Sequence, residues 1–407
     1  MKYIIILMDG AADYRVAELD NMTPLQYANT PAIDYLAARG EMGMVKTIPC
    51  GIAPGSDAAN LSVMGYDPEK YHTGRSPLEA VSIGINLLET DITFRCNLVT
   101  LSEEEKYFKK TMIDYSAGEI STEEARVLIK DVARELQTKD LKFYPGISYR
   151  HVIVWSNGPD EFTLTPPHDI LEKKIDNFLP GGPSKDIILD MMVKSVQILK
   201  DHPINKKRQE KGLRPANSIW IWGEGKKPRL DSFYNKYKIK GSVISAVDLV
   251  KGIGILAGLR SVEVENATGN IHTNFTGKAE AAIKEIQNGQ DFVYLHIEAP
   301  DECSHQADVG NKVKAIEIID KKVVKIIKEA LDKEVFDYKI MILPDHPTPI
   351  SLRTHTDEPV PFLIYTSNDV KDNPLQKYCE SAAEKTGLYF DRGYKLTDYF
   401  FSKEEKY

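Results

Sequence analysis

The chain has 407 residues, 42% hydrophobic and 28% charged, with a formal net charge of −8. These values describe a globular chain of two or three folding units with ample core. They argue against a general nucleic-acid or membrane-surface binder, which shows a basic footprint.

In chain order, residues 3–8 form a continuous Ile-rich run that Asp9 ends. The run is too short for a signal peptide or a membrane span. It predicts a strand buried on both faces, as in a parallel sheet. The first cysteine, Cys50, lies far from Cys96, Cys303 and Cys379. No CxxC pair exists, so neither disulfides nor a zinc knuckle are expected and a reducing cytoplasm fits. Ser56 follows Pro54-Gly55 at the start of a short helical pattern. The backbone N–H groups and positive dipole of a helix N-terminus stabilise a phosphate or an alkoxide. Arg75 then falls in a Gly/Pro loop.

Residues 93–101 and 151–155 predict strands, and 122–138 a helix capped by Ser121 or Thr122. Prolines and glycines at 166–167 and 180–183 break the chain. We read 93–183 as a small α+β unit inserted into a larger α/β domain made of 1–92 and 184–407. Further buried runs fall at 218–222, 242–244, 292–297, 339–343 and 362–365. Helical patterns at 246–259, 279–287 and 311–331 separate several of them. Such alternation predicts a mostly parallel sheet flanked by helices.

Ligands of open parallel sheets bind beyond the carboxyl ends of the strands. Asp9 follows the first strand. Asp301 and His305, spaced i and i+4, follow the run at 292–297. Asp345 and His346 follow the run at 339–343, and His355 comes soon after. Carboxylates and neutral imidazoles are the ligand set of divalent ions such as Zn²⁺ and Mn²⁺. Six such groups suit two ions better than one, and Ser56 beside them is a candidate nucleophile. Arg75, Arg95, Arg150 with His151, His168 with Asp169, and Arg214 could supply the local positive field that an acidic chain needs for an anionic substrate. No GxxxxGK[ST], GxSxG or HExxH motif occurs.

Met8-Asp9-Gly10, Pro54-Gly55-Ser56-Asp57, Gly74-Arg75-Ser76-Pro77, Pro300-Asp301-Glu302-Cys303-Ser304-His305, Pro344-Asp345-His346 and Arg353-Thr354-His355-Thr356 appear in order. With Tyr149-Arg150-His151 and Thr165-Pro166-Pro167-His168-Asp169, the chain resembles the cofactor-independent phosphoglycerate mutases of the archaeal type, in the alkaline phosphatase superfamily. The resemblance implies an alkaline-phosphatase-like α/β core with an inserted cap that binds substrate. It implies two divalent ions, Mn²⁺ foremost, with Mg²⁺, Co²⁺ or Zn²⁺ in some members. Asp9, Ser56, Asp345 and His346 match the ligands of one ion, and Asp301, His305 and His355 those of the other. Ser56 matches the serine that becomes phosphorylated. Arg75, Arg150, His168 and Asp169 match substrate contacts, and the substrate implied is a small phosphorylated anion. Where the archaeal members commonly read Gly-Arg-Gly-Pro, this chain reads Gly74-Arg75-Ser76-Pro77. A homoserine-kinase-like phosphotransferase of the same branch and a metal-dependent phosphatase are the alternative expectations.

Overall fold

The computed structural model describes residues 1–372 and 377–402. It divides the chain into two compact units: Met1–His72 with Arg229–Tyr407, and Thr73–Pro228. The first unit opens with strands β1 (Lys2–Met8) and β2 (Glu41–Val45). The second supplies β3 (Asp91–Leu101), β4 (Met112–Asp114), β5 (Leu141–Tyr144), β6 (Arg150–Ser156) and β7 (Ser218–Lys226). The chain then returns to the first unit for β8 (Gly241–Ile244), β9 (Arg260–Val262), β10 (Phe292–Ile297), β11 (Tyr338–Leu343), β12 (Val360–Thr366) and β13 (Tyr389–Phe390).

The first unit is a mixed α/β fold around an eight-stranded sheet of order β13-β2-β12-β11-β1-β10-β8-β9. β1 lies between β10 and β11 and is parallel to both. Ile4 to Met8 are fully buried, which is why the run is apolar without alternation. Helices Phe275–Gln287 and Val309–Ile319 bury apolar faces in the same core as Ile4 and Ile6. One strand departs from the expected parallel order: β12 runs antiparallel to β11 and to β2. The helix expected over 311–331 continues through a π-helical turn, Asp320–Val324, into Lys325–Leu331. Within that turn the Asp320 carboxylate accepts the Ile33 N–H at 2.7 Å, at the start of helix Pro31–Ala37. Among the described residues no helix is long and apolar enough to cross a membrane.

The second unit is larger than the 93–183 expected. Its five-stranded antiparallel sheet holds β3 between β6 and β7. The run at 218–222 therefore belongs to this unit and not to the parallel sheet. Both placements bury a strand on two faces, so both give the same apolar pattern. Helices Ser76–Ser82 and Lys185–Leu199 also fall in this unit. The expected helix cap is present: Ser121 accepts the Glu124 N–H at the start of Thr122–Leu136.

Candidate active site

The carboxyl ends of β1, β10 and β11 place Asp9, Asp301, Asp345 and His346 together, because these three strands are neighbours in one register. All four are buried. Helix Ala299–His305 carries Asp301 and His305 one turn apart, so His305 Nε2 lies 3.1 Å from Asp301 Oδ2. His355 Nε2 lies 3.4 Å from Asp301 Oδ1 and 3.0 Å from His305 Nε2. On the other side, His346 Nε2 lies 3.4 Å from Asp345 Oδ2 and 3.7 Å from Asp9 Oδ1. Ser56, first residue of helix Ser56–Val63, puts Oγ 3.1 Å from His346 Nε2. Two ligand groups compact enough for an ion result: Asp9, Asp345 and His346, and Asp301, His346 and His355.

Several groups around these residues fix their orientation. His296 Nε2 lies 2.8 Å from Asp9 Oδ2, and its Nδ1 lies 3.2 Å from Ser245 Oγ. Burial pushes the His296 pKa down to about 3, so a neutral ring donates to the carboxylate. Asp9 Oδ1 is left buried with no hydrogen-bond partner. Asp345 Oδ1 accepts the N–H groups of Gly10 and His346, and Oδ2 accepts from Asn60 Nδ2 at 2.9 Å. The same amide donates to the Ser56 carbonyl at 2.9 Å, while Tyr294 donates its hydroxyl to Asn60 Oδ1 at 2.7 Å. Thr348 Oγ1 donates to Asp301 Oδ1 at 2.6 Å and lies 3.1 Å from His346 Nδ1. His305 Nδ1 lies 2.9 Å from the Arg353 carbonyl. Its N–H can only donate there, which directs Nε2 toward Asp301. Gly10 adopts φ +62°, and a Cβ there would fall 2.6 Å from both Asp301 Oδ1 and Thr348 Oγ1.

The electrostatics are those of a cation site. Burial, followed by the fields of Asp345 and Asp301, holds the Asp9 carboxyl well above its ordinary range. Burial also raises Asp301, but hydrogen bonds from His305 and His355 outweigh it and hold that carboxyl well below. The bond to Asp301 lifts His305 to about 9, whereas burial lowers His346. A divalent ion would satisfy the orphaned Asp9 oxygen and relieve the crowding of carboxylates. It would also meet His346 Nε2, whose other ring nitrogen already contacts Thr348. The residues present therefore fit divalent ions.

The second unit holds a separate cationic cluster. Gly74 takes φ +104°, where a Cβ would strike the Glu224 carbonyl at 2.6 Å, and leads into Arg75. Arg75 Nε and Arg95 Nε share the Glu79 carboxylate at 3.1 and 3.0 Å. Arg95 stacks on Trp222, its cross-strand partner, at 4.2 Å. His168 meets Trp222 and Tyr115 edge-on, Tyr115 meets Tyr149, and Arg150 lies 5.5 Å from the Tyr149 ring centre. Burial, with the fields of Arg95 and Arg75, lowers the His168 pKa against the opposing pull of Asp169. Asp169 is exposed, 3.6 Å from His168.

The other two expected substrate contacts, Arg214 and His151, have partners within their own unit. Arg214 pairs with Asp114 at 2.6 Å. His151 is 2% exposed, accepts the Gly146 N–H, and has its pKa pushed down to about 3 by burial. Ser76 is also turned inward, with Oγ 2.8 Å from Thr93 Oγ1. The roles of Asn60, Tyr294, His296 and Thr348 went unread in the sequence, because their partners lie up to 287 residues away.

Comparison with known proteins places the chain among relatives. A family profile described as 2,3-bisphosphoglycerate-independent phosphoglycerate mutase matches residues 37–205. A Methanosarcina barkeri protein of that name is 47% identical over 389 residues, covering 95% of this chain and 96% of its own. A solved protein of Pyrococcus horikoshii, 29% identical, superposes with a TM-score of 0.81 over 100% of this chain and 99% of that one. A solved cofactor-independent phosphoglycerate mutase from Thermoplasma acidophilum shares the fold, with a TM-score of 0.67 at 24% identity over 98% of this chain and 99% of its own.

Proposed function

Because the chain belongs to the family of 2,3-bisphosphoglycerate-independent phosphoglycerate mutases, we propose that it interconverts 3-phosphoglycerate and 2-phosphoglycerate through a phosphoserine on Ser56. The observation that carries this reading is the convergence of Asp9, Asp301, Asp345 and His346 at the ends of three adjacent strands, with Ser56 Oγ 3.1 Å from His346 Nε2. In this reading Asp9, Ser56, Asp345 and His346 hold one divalent ion, and Asp301, His305 and His355 hold the other. Mn²⁺ suits the mixed carboxylate and imidazole set, and Mg²⁺, Co²⁺ or Zn²⁺ are its competitors. Bound there, the ions lower the pKa of the serine hydroxyl and neutralise charge on the phosphoryl oxygens.

The chain's own residues supply the rest. Ser56 Oγ bonds to phosphorus as the bond from phosphorus to the glycerate oxygen breaks, and the serine proton ends on the departing alkoxide. The other glycerate hydroxyl then attacks the same phosphorus. Ser56 Oγ leaves and regains a proton. Asn60 fixes the Ser56 backbone during both transfers, and the N–H groups that open helix Ser56–Val63 face the developing charge. Arg75, Arg95, Arg150 and His168 are the groups suited to the anionic substrate, with Asp169 beside His168. Water must be kept from the phosphoserine, since its attack would make the enzyme a phosphatase.

A side-by-side assay tests the reading. 3-Phosphoglycerate alone should yield 2-phosphoglycerate without release of inorganic phosphate, and ATP with homoserine should yield nothing. Phosphorylation of homoserine, or release of phosphate alone, would replace this function with one of its alternatives.

A further inference from the structure

We propose that Thr348 is a positioning residue that ties the two ligand groups into one unit. A hydroxyl carries a single proton, and Thr348 spends it on Asp301 Oδ1 at 2.6 Å. The contact with His346 Nδ1 at 3.1 Å must then run the other way, with the ring N–H donating to the Thr348 oxygen. His346 is thereby held as the tautomer whose Nε2 carries the lone pair. That nitrogen faces Asp9, Asp345 and Ser56. One oxygen atom thus orients a ligand of the first group and a ligand of the second.

The surroundings leave Thr348 little freedom. Its side chain is fully buried. Its N–H donates to the Ala12 carbonyl at 3.1 Å. Its carbonyl accepts from the buried Lys312 ammonium at 3.0 Å, and that ammonium is paired with Asp13 at 2.6 Å. The bare Cα of Gly10 is what leaves room for the Thr348–Asp301 bond, because a Cβ there would stand 2.6 Å from both oxygens. Lys312 and Gly10 come from segments far apart in sequence; Lys312 holds the Thr348 backbone and Gly10 leaves room for its hydroxyl.

The inference rests on the metal-ligand reading above, and titrating the metal-free protein with Mn²⁺ alone separates the two. The wild type should bind two ions. Thr348→Val, nearly isosteric but unable to accept or donate, should weaken both binding events by about 10–100-fold. Thr348→Ser should bind like the wild type. In the metal-free protein, ¹⁵N shifts should show His346 protonated at Nδ1 in the wild type and in Thr348→Ser. Thr348→Val should show a mixture of tautomers, whereas Thr348→Ser, which loses only the methyl group, should not. A wild type that binds no Mn²⁺ overturns the metal reading and this inference with it. A wild type that binds two ions while Thr348→Val does the same with unchanged affinity and tautomer overturns the inference alone.

Discussion

At the scale of single residues, the chemistry depends on side chains whose protons are already committed. Ser56→Ala removes the hydroxyl placed 3.1 Å from His346 Nε2. It should lower turnover by on the order of 10⁴-fold or more and abolish the mass increment of a phosphoserine, while Mn²⁺ titration still shows binding. His305 gives a second test. Its pKa in the fold is about 9, above the ordinary 6.5, because of Asp301. In the metal-free protein the charged ring therefore contributes stability that is complete below about pH 6.5 and lost as pH rises through about 9. A cation must displace that proton, so Mn²⁺ affinity should rise with pH across the same window. Calorimetry at pH 7.5 in buffers of different ionisation enthalpy should show protons released on binding, and fewer from His305→Asn than from the wild type; equal release from both would mean His305 gives up none. The candidate ligands Asp9, Asp301, Asp345 and His346 were legible because each comes within a few residues of the end of a buried strand, where a parallel sheet gathers polar groups. The Arg214 ion pair was hidden because nothing in its loop announces Asp114, 100 residues earlier. The burial of His151 was hidden because a histidine on a strand has the same local sequence whether it faces solvent or a core.

Among the elements, the clearest surprise is the π-helical turn within an otherwise regular amphipathic helix. Its apolar spacing tolerates the extra residue, so no periodicity betrayed it. The turn buries Asp320 under the start of helix Pro31–Ala37, where burial raises its pKa to about 6. The folded state therefore binds this proton more tightly than the unfolded chain does. Its contribution is complete below about pH 4 and is lost as pH rises through about 6. Asp320→Asn keeps an oxygen for the Ile33 N–H and should flatten the change in thermal midpoint between pH 5 and pH 7; an unaltered slope would assign that dependence elsewhere. At the cap of Thr122–Leu136, Ser121→Ala should cost about 1 kcal/mol in denaturant unfolding. That cap was visible in the sequence because it needs only residues three apart. The placement of β7 was not, since pairing partners over a hundred residues away decide it.

Across the whole molecule, the boundaries at 72/73 and 228/229 follow from pairing rather than from proline and glycine clusters. β3 bonds to β7 from Ile92–Lys226 through Val99–Ser218. A fragment of residues 73–228 keeps that ladder and should unfold cooperatively on its own. A fragment of 93–183 loses β7, exposes the buried face of β3, and should aggregate or remain unfolded. Equal stability of the two fragments would return the boundary to the proline and glycine clusters. The net charge of −8 also reads differently at this scale, since Asp9, Asp301 and Asp345 lie in one buried site and not on a uniformly acidic surface. The central position of β1 has a consequence for synthesis. Its two neighbours are β10 and β11, and the register pairs Tyr3 with Phe292 and Lys2 with Tyr338, so both leave the ribosome long after it. At roughly 5–20 residues per second, the most apolar strand of the sheet waits for tens of seconds without a partner. The inserted unit is continuous in sequence and can be complete within that interval. Asp9 and Ser56 are thus translated early and acquire their partners last, so a nascent chain has no assembled site until its final quarter has emerged.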